Sequence, residues 1–360
     1  FKMFSGLNNQ LKEDAHRFYL PLVNEISKYK NMKFIVVSRF IGFDQSNFTK
    51  RQLNRVTQFA YYILFALHIL KIIILNKNQK VLVREFSTFY LFLLSPLVFI
   101  GRKKFIYIVN HNLQIAQNSS LQKIILKFLY RIGTRFLLFE SSDGMHTIRK
   151  TPNTHQELIA PLFVSKEIKK ITDYNTKLIK KINEFKTKNY ILISIPGRPS
   201  FSKGSSKLLK YLIDFIGQNA YTNFRFLIPT SLYKLINSNH SIKEYFFCPP
   251  DDSHKYYNQI IALSDVALFN YESKYYYYRH SGVVLDCLSM KTAVICPNFP
   301  LLYNMVNYPV NVGKTFEKLN SLKHILKNDL NPSWLNSINW EKYLEERNIK
   351  KIASKIVSKI

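Results

Sequence analysis

The stretch from Ser264 to Pro300 constrains the fold of this chain more than any other. An apolar run at 266–269 predicts a short buried strand, and a polar, tyrosine-rich loop follows it. Helical spacing of apolar residues begins after Ser281, and a second apolar run at 293–296 stops at a proline. Strand, loop, helix and strand in this order predict a parallel βαβ unit. The first loop of such a unit lies at the carboxyl edge of the sheet, where open α/β sheets bind their ligands.

The same alternation of apolar runs and helical patterns extends over the rest of the chain, whose 360 residues suit two domains. It predicts an α/β protein with two Rossmann-like, doubly wound domains. We expect a first domain at 1–165, a linker and helix at 166–188, a second domain at 189–335 and a C-terminal helix at 336–360. A return of this last helix to the first domain is one option. The predicted strands are 32–38, 80–85, 104–109, 135–139, 189–195, 224–228, 266–269 and 293–296, with a closing segment of the first half at 158–163 and a strand-to-loop step at 246–252.

The charge of the chain predicts an anionic partner. Fifty-two Lys and Arg against 23 Asp and Glu give a formal charge of +29, which suits nucleic acid, a phospholipid surface or a phosphorylated substrate. The Lys residues are spread along the chain without zinc-finger spacing or an RNA-binding aromatic motif, which disfavours a specific nucleic-acid reader. The apolar segment Phe59–Leu75 is interrupted by His68 and Lys71 and is short for a membrane span. A buried or interface-lying helix is therefore favoured there.

The cysteines and the beginning of the chain indicate the compartment. Cys248, Cys287 and Cys296 show neither a disulfide pattern nor metal spacing, and a reducing cytoplasm fits them best. Because no HExxH, DxD or clustered ligand pattern occurs, no metal site is expected. The chain begins at Phe1 without a signal-peptide pattern and without an initiator Met, which we interpret as a trimmed beginning.

Two cations and one helix start are predicted to meet at the carboxyl edge of the second sheet. Arg198, in a Gly-Arg turn, follows the strand 189–195, and Lys203 comes five residues later at a helix start. Arg offers a planar fork to phosphate oxygens and Lys a point charge. Backbone N–H groups at Ser281–Val283 would add a helix N-terminus, which attracts phosphate. This set predicts a diphosphate clamp, and the alternatives are two solvated surface cations and an ordinary helix N-cap.

Over about 189–310, the chain resembles the nucleotide-sugar-binding domain of GT-B glycosyltransferases, in particular the large retaining group called family four. Gly197-Arg198 and Lys203-Gly204 match the G-R-x(4)-K-G pattern that follows a strand in that family. The segment 281–295 matches a later signature, a helix with an acidic residue one turn in, followed by a strand. The first half is similar to the acceptor domain of these enzymes through its alternation and through IYIVNHN, which contains the strand-end His111.

The resemblance implies a role for each of these positions. Asp286 would bind the donor ribose, and His111 would contact the transferred sugar. Arg279, just before the clamp helix, would either add charge to the donor phosphates or lie on the surface. Tyr275–Tyr278 would stack on sugar or base, or pack at a domain interface. No cofactor is implied, since the nucleotide-diphosphate sugar is the donor substrate. The positions implied to form the diphosphate site are Arg198, Lys203, Gly204, Ser281, Gly282 and Val283.

The sequence departs from the family pattern at three positions. By the family's spacing of paired glutamates, Tyr278 stands at the first, Asp286 replaces Glu at the second, and Lys291 stands where Gly is usual. These changes leave the donor and the stereochemical outcome open. A retaining enzyme of this kind needs no protein base, whereas an inverting one needs a carboxylate or His near the acceptor hydroxyl. The candidates for such a base are Glu85, His111, Glu140 and Asp143.

We therefore expect a metal-independent GT-B glycosyltransferase with its active site in a central cleft between an acceptor-binding first domain and a nucleotide-sugar-binding second domain. It would transfer the sugar to a hydroxyl of a saccharide or lipid-linked saccharide in cell-surface polysaccharide synthesis. The basic charge and the Phe59–Leu75 segment suggest a cytoplasmic protein, attached peripherally to the anionic inner face of the plasma membrane. The alternatives are a non-catalytic basic protein that binds membrane or nucleic acid, and a GT-B nucleotide-sugar epimerase.

Overall fold

The computed structural model divides the chain into two compact units, Phe1–Ala160 with Ile349–Ile360, and Pro161–Asn348. We call them unit 1 and unit 2. The structure describes residues 22, 25–26, 28, 32–36, 63, 67, 70, 74, 80–84, 88–140, 155–158, 176–218, 223–236, 240–250, 252 and 254–359.

Unit 1 is built on a parallel sheet of five described strands that lie in sequential order. The third and fourth strands, FIYI and RFLLF, are almost wholly buried runs of apolar residues, as expected of a parallel sheet covered on both faces. The strands are β1 (Met32–Val36), β2 (Lys80–Arg84), β3 (Phe105–Ile108), β4 (Arg135–Phe139) and β5 (His155–Leu158). The helices between β2 and β4 are α1 (Thr88–Leu93), α2 (Ser95–Ile100), α3 (Asn110–Gln117) and α4 (Ser120–Arg131).

Unit 2 contains a parallel sheet of six strands whose order reverses in the middle. The strands are β6 (Ile191–Ser194), β7 (Phe224–Leu227), β8 (Phe246–Phe247), β9 (Val266–Leu268), β10 (Ala293–Pro297) and β11 (Gly313–Phe316), arranged β11-β10-β9-β6-β7-β8. The chain therefore proceeds outward from β6 on one side and then returns to place β9 against the other side of β6. Such a reversal defines a doubly wound sheet.

Helices cover both faces of this sheet and bury an apolar core between helix and strand. A single turn of 3₁₀-helix, Phe201–Lys203, precedes α6. The helices of unit 2 are α5 (Thr176–Thr187), α6 (Ser205–Gln218), α7 (Thr230–Tyr233), α8 (His240–Lys243), α9 (His254–Leu263), α10 (Ser273–Tyr276), α11 (Gly282–Ser289), α12 (Pro300–Asn307), α13 (Leu322–His324, continuing as a π-helix over Ile325–Asp329), α14 (Pro332–Asn336) and α15 (Trp340–Glu346). The last helix, α16 (Ile349–Lys359), belongs to unit 1 and contacts β5.

The predicted βαβ unit is confirmed: β9 and β10 pair in parallel and α11 connects them. The C-terminal helix predicted at 336–360 was wrong in detail: the range contains two helices, α15, which Asn339 caps and which ends at Glu346, and α16, which begins at Ile349. The closing segment predicted at 158–163 overlaps β5 at Leu158, and its other residues lie outside those that the structure describes.

Parts of the sequence interpretation lie outside the described residues. Glu85 and Asp143 are among them, as is most of the segment Phe59–Leu75. Four residues of that segment are described, and all are helical and exposed: Ile63, Leu67, Leu70 and Ile74. In the described part of the chain, no helix combines the length and apolar character that a membrane crossing requires.

Candidate functional site

The reversal of strand order in unit 2 lies between β6 and β9, which are hydrogen-bonded neighbours. In a doubly wound sheet, ligands bind outside the carboxyl ends of the two strands at this switch point. The loop after β6 contains Gly197, Arg198, Lys203 and Gly204, and the loop after β9 leads to Ser281 at the start of α11. Fold topology therefore brings the two halves of the predicted clamp to one edge of the sheet.

Direct contacts join these two loops. Gly204 has a left-handed backbone (φ 59°) and lies so close to the carbonyl oxygen of Asn270 that a Cβ there would overlap it. The Asn270 side-chain amide donates to the Gly204 carbonyl at 3.4 Å, and the Glu272 N–H donates to the Ser202 carbonyl at 3.1 Å. Glycine is thus required at 204 for both conformation and space.

Lys203 lies at the centre of this edge. Its Nζ donates to the Arg198 carbonyl at 3.0 Å. A Cβ built on Gly197 would lie 3.1 Å from Lys203 Nζ and 3.5 Å from a methyl carbon of Val283, so these three residues converge. Burial, and secondly the charge of Arg198, lower the pKa of Lys203. A partly desolvated ammonium gains from an anionic ligand more than an exposed one does.

The N-terminus of α11 forms the other side of the site. Ser281 is its buried N-cap: the Oγ accepts from the Val284 N–H at 3.3 Å and forms a 2.5 Å hydrogen bond with the Tyr271 hydroxyl. Burial is the largest cause that raises the pKa of Tyr271, so its hydroxyl keeps its proton. Gly282 is exposed, and a Cβ there would meet no atom within 4 Å. Space is therefore open beside the first turn of this helix, and a helix N-terminus attracts an anion.

Asp286 lies one turn into α11 and is half-buried. The Tyr257 hydroxyl, on α9, donates to Asp286 Oδ2 at 2.6 Å. Burial and the Asp286 charge raise the pKa of Tyr257, which keeps this hydroxyl a donor. The hydrogen bond fixes the orientation of Asp286, the one carboxylate on α11.

Four other residues that the sequence singled out lie on the surface of unit 2 or in unit 1. Arg198 and Arg279 have exposed side chains, and the Arg279 guanidinium lies 5.7 Å from the centroid of the Tyr276 ring. His111 lies in unit 1, in the first turn of α3 directly after β3, whereas the diphosphate positions belong to unit 2. Glu140, a candidate base, is only 1% exposed. Its role as a base stays a prediction.

Sequence reasoning missed three residues of this site. Asn270 and Tyr271 fall at the start of the tyrosine-rich loop, where no spacing distinguished them from its surface residues. Tyr257 is separated from Asp286 by a strand and a long loop, and nothing local in the sequence pairs them.

Among the described residues, no group of His, Cys, Asp and Glu is arranged to hold a metal ion. Metal independence stays a prediction.

No protein-family model matches the sequence, and no curated protein matches it. Solved structures do match. A UDP-forming α,α-trehalose-phosphate synthase from Burkholderia vietnamiensis is 8% identical, with a TM-score of 0.58 over 88% of this chain and 78% of that one. HepE from Anabaena, solved with UDP and glucose, is 11% identical, with a TM-score of 0.52 over 81% and 80%. A trehalose-6-phosphate synthase studied for glycosyl transfer with retention is 13% identical, with a TM-score of 0.53 over 84% and 78%. These neighbours are GT-B glycosyltransferases.

The chain has the GT-B fold. The predicted fold class is therefore confirmed. At these identities the comparison concerns the fold, and the assignment of chemistry depends on the residues at the switch point of unit 2.

Proposed function

We propose that this protein is a glycosyltransferase that binds a nucleotide-diphosphate sugar at the carboxyl edge of the unit 2 sheet. The observation that carries the proposal is the convergence of Lys203, Gly197 and Val283 at the switch point between β6 and β9. A half-buried ammonium, an open helix N-terminus and the exposed Arg198 guanidinium together offer what a diphosphate needs: fixed positive charge and backbone donors.

Within this site the residues have separate tasks. Lys203, Arg198 and the N–H groups of α11 would bind the two phosphates and stabilise the negative charge that develops on the departing nucleoside diphosphate. Asp286, held by Tyr257, would accept from the ribose hydroxyls. The structural neighbour HepE was solved with UDP, once together with glucose, and we propose a uridine nucleotide as the donor here.

The experiment that tests this proposal is calorimetric titration of the protein with UDP, GDP and their sugar conjugates. We expect saturable binding of UDP that Arg198→Ala and Lys203→Ala each weaken about ten- to hundredfold, as for loss of a charge-assisted contact. Lys210→Ala, which removes an exposed cation from α6, is the matched control and should bind like the wild type. If no nucleotide binds to any of these proteins, the proposal is wrong, and a non-catalytic basic binding protein is the alternative.

The acceptor step forms a second part of the proposal. We propose transfer to a hydroxyl of a saccharide or lipid-linked saccharide in cell-surface polysaccharide synthesis, with retention of configuration as studied in one neighbour. His111, directly after β3, is proposed to contact the transferred sugar. His111→Ala should then abolish turnover while leaving UDP affinity unchanged. Proton NMR of the product would identify the anomer, and assays with and without EDTA would test metal independence.

We also propose peripheral attachment of the protein to the inner face of an anionic membrane. The formal charge of +29 supports this, because basic proteins are attracted to anionic phospholipid surfaces. Sedimentation with anionic vesicles at low salt tests it, and a protein that stays in the supernatant under those conditions would contradict it.

A further inference from the structure

Unit 1 exposes large apolar side chains on three neighbouring helices. We call this set the apolar face; its members are Phe89, Phe92, Leu93, Phe99, Ile100, Leu121, Ile124 and Phe128. Isolated exposed apolar residues are ordinary, but a contiguous group marks an interaction surface. The most exposed members, Ile100 and Ile124, have 64% and 63% of their surface accessible.

The apolar face is contiguous because its helices pack on one another. Helix α1 contacts both α2 and α4. The rings of Phe92 on α1 and Phe128 on α4 meet edge to face with 5.2 Å between centroids. The Arg102 guanidinium, just after α2, lies 3.9 Å from the centroid of the Phe99 ring. The Arg102 side chain also lies close to Gly133, just after α4.

Helix α4 shows that this exposure is built into the sequence. Its buried side carries Ile125, Leu126 and Leu129. Its exposed side carries apolar residues at 121, 124 and 128, which follow a single helical row. A helix that only covers a sheet has a polar outer row, whereas α4 is apolar on both sides. No described residue of this chain buries the second apolar row, which leaves it available to a partner.

The charge around the apolar face determines the kind of partner. The stretch 86–139 contains seven Lys and Arg and no Asp or Glu. Lys103 and Arg131 are exposed, and Lys123 and Lys127 alternate with the apolar row of α4. A second copy of this chain would bring the same cations to the interface and be repelled. Nucleic acid would use the cations but not the aliphatic side chains.

We infer that the apolar face of unit 1 docks on the surface of a bilayer that contains anionic phospholipid. Its Phe, Ile and Leu side chains would enter the interfacial region, and the surrounding Lys and Arg would contact lipid phosphates. This inference locates the membrane attachment proposed above on α1, α2 and α4, which differ from the Phe59–Leu75 segment that the sequence suggested. It does not depend on nucleotide binding in unit 2.

The test measures how much of each full-chain variant sediments with vesicles. One vesicle type mixes phosphatidylglycerol with phosphatidylcholine, and the other contains phosphatidylcholine alone. We expect binding to the mixed vesicles, and at least tenfold weaker binding by the double variant Ile100→Ser/Ile124→Ser. Leu235→Ser in unit 2 replaces a similarly exposed apolar residue and should bind as tightly as the wild type. The charge variant Lys103→Ala/Arg131→Ala should lose several-fold in affinity, and high salt should have the same effect.

Three outcomes would overturn the inference. The first is unchanged vesicle binding by Ile100→Ser/Ile124→Ser, and the second is equal binding to vesicles with and without phosphatidylglycerol. The third is a wild-type dimer that this double variant dissociates, since a second copy would then occupy the apolar face. UDP titration of the same variants separates this inference from the proposed function. Loss of vesicle binding with intact UDP affinity supports both, whereas vesicle binding without any UDP affinity removes only the proposed function.

Discussion

The hydroxyl of Tyr257 donates a 2.6 Å hydrogen bond to the carboxylate of Asp286 and thereby ties α9 to the clamp helix α11. The two residues are 29 positions apart in the chain. Because burial and the Asp286 charge raise the pKa of Tyr257, the phenol stays protonated at physiological pH and remains a donor. The orientation of Asp286 therefore depends on a residue in another helix.

Tyr257→Phe removes this hydrogen bond and leaves the ring in place. We expect the free energy of unfolding to fall by about 1–2 kcal/mol, as for loss of a hydrogen bond to a charged group at a half-buried site. UDP affinity should fall as well, because Asp286 loses its fixed orientation. Urea denaturation and calorimetry measure the two effects. Tyr303→Phe, at an exposed tyrosine of α12, should change neither, and a stable Tyr257→Phe protein with wild-type affinity would separate Tyr257 from the site.

Gly204→Ala tests the contact between the two switch-point loops. The change places a Cβ against the Asn270 carbonyl oxygen in a left-handed conformation. We expect a loss of about 2–5 kcal/mol in the free energy of unfolding from the combined strain and overlap. The control is Gly217→Ala in α6, where a Cβ meets no atom within 4 Å and the added helix propensity should stabilise by up to about 1 kcal/mol. Equal melting temperatures for the two variants would contradict the described geometry.

The sequence predicted those features of the structure that depend on neighbouring residues, and it did not predict contacts between distant segments. Strand β4 was predicted with its observed bounds because buried parallel strands are continuous apolar runs. Strand β5 was not predicted beyond Leu158, the first residue of the predicted closing segment, because HQEL carries no such run. The N-cap at Ser281 could be predicted from a small polar residue before helical spacing. The contact of Gly204 with Asn270 could not, because strand order decides which distant loops meet.

Lys291 illustrates a departure that the structure explains. It stands where the resembled family usually has Gly, and its backbone is left-handed (φ 61°), a conformation that favours Gly. Lys291→Gly should therefore stabilise unit 2 by about 1 kcal/mol. Lys210→Gly also removes an exposed lysine side chain, but from the interior of α6. It should instead lower the free energy of unfolding by about 0.5–1 kcal/mol. Thermal denaturation of both variants measures the contrast, and destabilisation by both would refute a strained Lys291.

The lowered pKa of Lys203 predicts a pH dependence of nucleotide binding. Burial, and then Arg198, make the ammonium lose its proton at lower pH than an ordinary lysine. A bound diphosphate favours the protonated form, so affinity should be constant while Lys203 is charged and fall as the pH rises through its lowered pKa. We expect UDP affinity to weaken about ten- to hundredfold across this rise in pH, as for loss of a charge-assisted contact. Lys203→Ala should bind UDP weakly at neutral pH and lose no further affinity as the pH rises. Lys210→Ala should show the same pH dependence of UDP affinity as the wild type. Calorimetry between about pH 7 and about pH 10 measures all three, and parallel curves for wild type and Lys203→Ala would place the titrating group elsewhere.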